Sequence, residues 1–292
     1  MKKKVVIIGN GFDLYNGLPT SYYDFYDFVV GNDLLSESVK EIYSFVDCKQ
    51  SWNYFEENLI GVNTDYVYEV LSVGKFAPGY TGKIRELSIE KTREDLENSK
   101  AELISLFSLW IKSIKVRNLF NFDNAIYLED DAVFINFNYT KTLEYVYHVL
   151  QNDVLHIHGD VNNVVVGCGK ESLNFLLRDA RTIKGHPAYI AMRSFARKSI
   201  KPVKSMITKR LVPFLDKFQF DDNVEIYVLG HSKNEIDKEY FSFINEKYKN
   251  SIWKFSIFSS NDDAKTDAFA KEIGIEKYFK SSMESLLNEL VK

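Results

Sequence analysis

The chain has 292 residues, of which 45% are hydrophobic and 15% aromatic, which is enough for one large α/β domain or two small ones with a substantial core. Its 37 basic and 41 acidic residues give a net charge of −4, so nucleic-acid binding would need a local basic patch. The two cysteines exclude a disulfide framework and a four-cysteine zinc site, and they indicate a reducing cytoplasm.

A buried strand is predicted at residues 5–8, because this β-branched run has no polar alternation and is typical of a parallel strand covered on both faces. The run is too short for a signal-peptide core or a membrane span, so we expect a cytoplasmic protein. Gly9, Asn10 and Gly11 follow, and glycines between a strand and a helix let backbone N–H groups approach a phosphate. The dinucleotide fingerprint is incomplete, because Leu14 stands where its third glycine would be.

Helical segments fill most of the first half. Ser21 and Asp24 have the spacing of a capping box and predict a helix start. Apolar residues at helical spacing follow over residues 34–60, and a long helix is predicted over residues 84–116. We therefore interpret residues 32–125 as helical material inserted between strands.

The second half returns to alternating strands and helices, which is typical of α/β folds. The predicted strands are residues 132–135, 154–158, 163–166, 224–229 and 253–258, and the predicted helices are residues 141–149, 233–248, 262–273 and 283–291, with one or two more over 187–219 that Pro202 and Pro213 interrupt. The basic residues of the segment 193–210 lie at helical spacing and indicate a solvated face rather than a nucleic-acid groove. We expect one α/β domain over residues 1–292, with a Rossmann-type parallel sheet, helices on both faces and helical insertions at about 32–125 and 170–220.

Four predicted strands end in polar or glycine-containing turns, at residues 9–13, 136–140, 156–160 and 230–232. Ligands of open parallel sheets bind outside the carboxyl ends of the strands, so these turns are predicted to face one crevice. Each turn alone also has a purely structural explanation. Asn136 and Asn138 could be turn formers, and Asp13 could cap a short helix.

His156 and His158 alternate on a predicted strand and would project from one face. Together with Asp160 they resemble part of a metal-ligand set, although such a site usually needs further protein ligands. A histidine just before a glycine, as His158 is before Gly159, also suits a general base, because its pKa lies near neutrality and the glycine lets a ligand approach. A buried structural histidine is the third possibility.

The motifs at residues 9–14 and 17–22 resemble the signature of the AbiH family of bacterial phage-abortive-infection proteins. The segments 136–144, 157–159 and 230–232 fit the same family, so the resemblance spans nearly the whole chain. The layout is also similar, more distantly, to sirtuins and to the sirtuin-like NAD hydrolases of phage defence. The resemblance thus implies a sirtuin-like fold.

The sirtuin resemblance further implies a site for NAD as substrate, and no metal is expected because the ligand set around His156 and His158 is incomplete. Asn138 would position water or the ribose, His158 would be the general base, and Asp13 would lie near the nicotinamide ribose. The implied NAD-binding residues are Gly9, Asn10, Gly11, Phe12, Thr140, Gly159, Gly230 and Ser232. Deacetylating sirtuins carry a four-cysteine zinc module that this chain lacks, so acyl-lysine chemistry is not expected.

These observations predict an anti-phage abortive-infection protein that hydrolyses the nicotinamide–ribose bond of NAD when infection triggers it. Gating is expected from a homo-oligomeric state or from the loop at residues 73–82, with a phage-derived trigger or a companion defence protein as partner and no membrane association. Two alternatives stay open. One is a module that senses NAD or ADP-ribose without turnover, and the other is a metal-dependent hydrolase using His156, His158 and Asp160.

Overall fold

The computed structural model describes residues 1–71, 82–116, 126–173 and 186–292. Its centre is a six-stranded parallel sheet. The strands are β1 (Lys2–Ile8), β2 (Ala132–Asn136), β3 (Val154–His156), β4 (Phe220–Leu229), β5 (Ile252–Ser256) and β6 (Tyr278–Ser281). Their order is β3-β2-β1-β4-β5-β6, so the direction of winding reverses between β1 and β4. This confirms the predicted Rossmann-type sheet, and it puts the usual ligand crevice at the β1–β4 boundary.

Helices lie on both sides of the sheet, as predicted. The α-helices within the described residues include α1 (Asn10–Tyr15), α2 (Tyr22–Gly31), α3 (Glu37–Ile42), α4 (Phe55–Asn58), α5 (Thr64–Tyr66), α6 (Lys83–Ser113), α7 (Thr142–Val146), α8 (Pro187–Lys198), α9 (Val203–Met206), α10 (Val212–Leu215), α11 (Lys238–Lys247), α12 (Ser260–Glu272) and α13 (Met283–Asn288). Short 3₁₀ segments occupy Ser44–Asp47, Lys49–Tyr54, Gln151–Asp153 and Glu235–Asp237, and π-helical turns occupy Val67–Leu71 and Ile207–Leu211.

Strand β1 lies in the middle of the sheet, and this explains its apolar sequence. Val6 pairs with Phe134 on one side and Tyr227 on the other, and all three side chains are almost fully buried. Leu143 of α7 and Leu286 of α13 belong to the same buried cluster. Full burial of an apolar side chain of this size contributes about 1.5–3 kcal/mol, so this cluster anchors the strand whose end carries the first glycine turn.

The described residues form two compact units. The first, with the sheet, contains Met1–Thr20, Ile111–Val164 and Pro202–Lys292, and the second contains Ser21–Trp110 and Val165–Lys201. The predicted insertions at 32–125 and 170–220 overlap the two segments of the second unit. A single domain over residues 1–292 stays a prediction.

The second unit is helical and has its own aromatic core. The ring of Phe25 lies 5.1–5.3 Å, centroid to centroid, from the rings of Trp52, Phe55, Phe107 and Trp110. Aromatic pairs at such distances contribute about 0.5–1.5 kcal/mol beyond the area they bury.

Local sequence signals placed several helix boundaries well. The predicted capping box is present, since Ser21 Oγ accepts from the backbone N–H of Asp24 and the Asp24 carboxylate accepts from the N–H of Ser21. The long helix predicted over 84–116 is α6, which ends at Ser113.

Of the predicted gating loop, residues 73–81 lie outside the described residues. No helix within the described part of the chain is long and apolar enough to cross a membrane.

Two strand predictions need correction, and one strand was missed. Residues 163–166 form no strand, since the six-stranded sheet of the described residues does not include this partly exposed run, and the isolated bridge that follows joins Cys168 to Ile200. The strand predicted over 154–158 ends at His156. Strand β6 (Tyr278–Ser281) was not predicted, because a short edge strand that is only partly buried has little hydrophobic signal.

The basic segment 193–210 is not a uniformly solvated face. Arg193 and Lys204 are exposed, as predicted. Lys201 is buried instead, with its Nζ 3.0 Å from Glu56 Oε2, because a buried ammonium group needs a carboxylate partner. The solvated-face prediction is therefore wrong at Lys201.

Both cysteines of the chain are free thiols.

Candidate functional site

The turns that follow β1, β2, β3 and β4 lie together at the carboxyl edge of the sheet. The N–H of Gly9 donates to the carbonyl of Leu229 over 2.9 Å, which joins the β1 turn to β4. The N–H of Phe137 donates to the Ile8 carbonyl over 2.9 Å, and that of Ile157 donates to the Asn136 carbonyl over 2.9 Å. The four turns predicted to share one crevice are thus brought into contact.

The glycines of the first and fourth turns allow two backbone segments to touch. A Cβ on Gly9 would lie 2.4 Å from the Cα of His231, and a Cβ on Gly230, whose φ is +65°, would lie 2.2 Å from the nitrogen of Phe12. The N–H of Gly11 donates to the Gly230 carbonyl over 2.8 Å. The N–H groups of Gly9 and Gly11, predicted to face a pyrophosphate, therefore donate to main-chain carbonyls, Gly9 to Leu229 at the end of β4 and Gly11 to Gly230 in the turn after it.

Asp13 is the most buried acidic group of the site, with 1% of its surface exposed. Its carboxylate accepts a hydrogen bond from Thr140 Oγ1 over 2.5 Å and another from Thr142 Oγ1 over 2.7 Å. Burial raises the pKa of Asp13 above its ordinary value, although the hydrogen bonds from Thr140, Thr142 and Asn138 act in the opposite direction. Asp13 thus ties the first turn to the second.

This burial predicts a pH dependence of stability. The pKa of Asp13 is raised from 3.8, so the folded chain holds the proton more tightly than the unfolded chain. The free energy of unfolding contributed by Asp13 should then fall as the pH rises from 3.8 through the raised pKa, and level off above it. Urea denaturation of the wild type and of Asp13→Asn across this pH range measures the effect as a shrinking difference between the two proteins.

The control for this prediction is Asp267→Asn. Asp267 is exposed, and hydrogen bonds from Lys280 and Tyr278 lower its pKa. The difference between the wild type and Asp267→Asn should therefore grow with pH in the acid range. A wild-type advantage over Asp13→Asn that also grew with pH would contradict the assignment of a raised pKa to Asp13.

The two asparagines after β2 shape the second turn. Asn136 Oδ1 accepts from the N–H of Asn138 over 2.9 Å, a local pattern of the kind that asparagine uses in turns. Asn138 Nδ2 donates to the Gly9 carbonyl over 3.1 Å, across the boundary between β2 and β1. Asn136 is thus a turn former, and Asn138 joins two turns through its side chain.

The third turn begins with a histidine–glutamate pair. His156 Nε2 lies 2.7 Å from Glu144 Oε1, and its Nδ1 lies 3.3 Å from the Asn138 carbonyl. Arg210, in the π-helical turn before α10, donates from Nη2 to the His156 carbonyl over 3.0 Å. Glu144 was part of the sequence motif without an assigned role, and its partner identifies it as the group that orients His156.

A second carboxylate, that of Asp237, lies near the other two histidines at the carboxyl edge of the sheet. His158 Nε2 lies 3.4 Å from Asp237 Oδ1, and His231 Nε2 lies 3.5 Å from Asp237 Oδ2. The Phe137 ring contacts both histidine rings edge-on, with centroid distances of 5.0 and 4.6 Å. Sequence reasoning missed Asp237, because it falls within the helix predicted over 233–248 and no local motif marks it; in the structure it ends the 3₁₀ segment Glu235–Asp237 before α11.

The remaining residues predicted to bind NAD differ in exposure, since some are exposed and others are buried. Asn10 is exposed and donates from Nδ2 to the Thr20 carbonyl over 2.7 Å, whereas Phe12 is fully buried in the core against Tyr147. Ser232 is exposed. Gly159 has a φ of +87° and forms a tight turn after His158. Their predicted contacts with NAD stay predictions.

The geometry gives the metal-ligand hypothesis little support. Because β3 ends at His156, the strand alternation that would put His156 and His158 on one face does not extend to His158. The two rings turn to different carboxylates, Glu144 and Asp237. Across the residues that the structure describes, no group of three or more His, Cys, Asp or Glu side chains is placed to hold a metal ion.

Comparison with known protein families identifies the family to which the chain belongs. The family described as bacteriophage abortive infection AbiH matches residues 5–257 of the chain. The chain belongs to the AbiH family. This match covers all four turns and confirms the resemblance drawn from the sequence motifs, and AbiH membership assigns the chain to phage abortive infection. No curated protein and no solved structure matches the chain, so the sirtuin resemblance stays a prediction.

Proposed function

We propose that this AbiH protein acts in abortive infection as an enzyme that hydrolyses the nicotinamide–ribose bond of NAD, or of a related nucleotide, once infection triggers it. One observation carries the proposal. Asn138 and His158 come from separate turns, and both are buried at the carboxyl edge of a doubly wound sheet, beside the reversal between β1 and β4. Nucleotides bind at this position in folds of this architecture.

Hydrolysis of the nicotinamide–ribose bond requires few protein groups. Water attacks the anomeric carbon as the bond to nicotinamide breaks, giving nicotinamide, ADP-ribose and one proton through an oxocarbenium-like state. The protein must hold the ribose and orient one water, which an amide such as that of Asn138 does as donor and acceptor. His158 would accept the proton from that water or from a ribose hydroxyl.

The described state is closed around these groups, and this supports a gated enzyme. The N–H of Gly11 donates to the Gly230 carbonyl of the β4 turn, and that of Gly9 donates to Leu229 at the end of β4, so a pyrophosphate would reach the Gly11 N–H only after the two turns separate. A trigger that opens these turns would start hydrolysis. A phage-derived component, a companion defence protein or homo-oligomer formation would serve as that trigger, and constitutive turnover by purified monomer would contradict this gating.

A second candidate function is a sensor that binds NAD or ADP-ribose without turning it over. The specific observation in its favour is that Asn138 and Asp13 are already engaged in bonds that hold the turns together. Ligand binding would then exchange these bonds and change the conformation of the turns, without any chemical step.

Release of free nicotinamide separates these functions. Purified protein would be incubated with NAD, with lysate from infected or uninfected cells as the source of trigger, and with or without added metal and chelator. Triggered release that is lost in both Asn138→Ala and His158→Ala, and that is indifferent to chelator, supports the NAD hydrolase. Binding of NAD without release supports the sensor, and chelator sensitivity supports a metal-dependent hydrolase.

The matched control is Asn162→Ala. Asn162 is exposed in the loop after Asp160, so its loss should leave both release and stability unchanged. Thermal unfolding of every variant shows whether a loss of release reflects a loss of folding. Release that survives in Asn138→Ala and His158→Ala would reject the assigned roles.

A further inference from the structure

We propose that Asp237 is the positioning residue of this site, which holds the rings of His158 and His231 in one fixed tautomer and acts on the reaction through His158. The catalytic part of this inference rests on the proposed function, whereas the tautomer assignment stands on geometry alone. Each carboxylate oxygen of Asp237 faces the Nε2 atom of a different histidine, at 3.4 and 3.5 Å.

The tautomer of His231 follows from its second nitrogen. His231 Nδ1 accepts a hydrogen bond from the backbone N–H of Lys233 over 2.9 Å, so in the neutral ring the proton is on Nε2. His231 Nε2 lies 3.5 Å from Asp237 Oδ2. Lys233 is itself fixed, because its buried Nζ lies 2.8 Å from Asp262 Oδ1 and 3.1 Å from the His231 carbonyl.

His158 meets the same carboxylate from the third turn. An ionised carboxylate only accepts hydrogen bonds, so it selects Nε2–H in both rings at once. Both separations are longer than a normal hydrogen bond, and such contacts at catalytic sites often tighten when the substrate binds. A carboxylate that orients a histidine and fixes its tautomer is a known requirement for a histidine base.

The surroundings keep the three groups in place. The side chains of His158 and His231 are only 4% and 3% exposed, and the Phe137 ring contacts both edge-on. Phe241 packs on His231 with a centroid distance of 4.9 Å, and Tyr240 lies 5.9 Å from His158. Both aromatic residues belong to α11, the helix that begins directly after Asp237, so the carboxylate and the packing come from one element.

The test is nitrogen-resolved NMR of ¹⁵N-histidine-labelled full-length protein at a pH where the rings are neutral. The chain has 5 histidines, so the signals of His158 and His231 can be assigned from single substitutions. In the wild type both rings should carry the proton on Nε2. A proton on Nδ1 of either ring would overturn the inference without any variant.

Asp237→Asn sharpens the test, because an amide of the same shape offers one acceptor oxygen and one donor nitrogen. His231 is held by the Lys233 N–H and keeps its Nε2–H, so His158 should change to the Nδ1–H tautomer. Triggered nicotinamide release should fall at least tenfold in this variant. Asp237→Glu retains the carboxylate and should restore the His158 tautomer and much of the release.

The control is Glu235→Gln, which removes an exposed carboxylate paired with Lys238 and should change neither the tautomers nor the release. Unchanged histidine tautomers in a folded Asp237→Asn protein would overturn the positioning role. If the His158 tautomer changes as expected while the wild type releases no nicotinamide, the positioning role holds and the proposed hydrolysis fails. Full release by Asp237→Asn would overturn the link between Asp237 and catalysis.

Discussion

Gly230→Ala should destabilise the chain by about 4 kcal/mol or more, which is exceptional for the addition of one methyl group. The backbone of Gly230 has a φ of +65°, and a side chain in this left-handed region costs about 1–2 kcal/mol by itself. The new Cβ would also lie 2.2 Å from the nitrogen of Phe12 and 2.5 Å from the carbonyl carbon of Gly11. These are backbone atoms held by the buried Phe12 ring, so the overlap cannot be relieved by a side-chain rotation.

Gly274→Ala is the matched control, because Gly274 has a φ of +73° but nothing lies within 4 Å of its ideal Cβ position. It should cost only the conformational term, about 1–2 kcal/mol. Urea denaturation of both variants beside the wild type isolates the contribution of the close approach between the β1 and β4 turns. Equal losses in the two variants would show that the turns do not pack in this way in solution.

His158→Ala should lower triggered nicotinamide release by about 10²- to 10⁴-fold, the contribution typical of a general base. His158 lies in the third turn, 3% exposed, with its Nε2 3.4 Å from Asp237 Oδ1. Because its loss removes the proton acceptor rather than a binding contact, the effect should fall mainly on kcat, with a smaller change in KM. Steady-state kinetics of nicotinamide release with the triggered protein measures both.

His186→Asn is the control for a histidine far in sequence from the turns. His186 Nδ1 caps α8 by accepting from the N–H of Ala188, and asparagine is also a good N-cap residue. This variant should keep both kcat and the unfolding midpoint. His158→Asn, which retains a polar side chain, tests the base if the alanine variant is unstable. Normal kcat in either folded His158 variant would remove His158 from the mechanism.

Residues with strong local patterns could be placed from the sequence. The β-branched run of β1 and the Ser21 capping box depend on neighbouring residues, and both were predicted correctly. The run at 163–166 has the composition of a strand but lies outside the six-stranded sheet, and β6 pairs with β5 although it is a short edge strand with little hydrophobic pattern. Strand pairing depends on distant segments, and composition alone does not specify it.

The candidate site likewise combines contacts that the sequence indicated with contacts that it did not. The order of polar turns at strand ends indicated that Gly9, Asn138, His158 and Gly230 would meet, and the structure brings their turns together. It did not indicate that the Gly11 N–H would donate to the Gly230 carbonyl of the β4 turn, or that the Thr142 hydroxyl would donate to Asp13. These contacts depend on the approach of turns more than 100 residues apart in sequence.

The sequence by itself determined the parallel α/β class, the turns at the strand ends and membership of the AbiH family, because strand periodicity, helix caps and motif spacing are local properties of the chain. Only the tertiary structure decided the strand order, the closed packing of Gly230 on Phe12 and the joining of His158 to His231 through Asp237. Asp237 lies 79 positions after His158 in the sequence. The two residues become neighbours only because α11 folds beside the third and fourth turns.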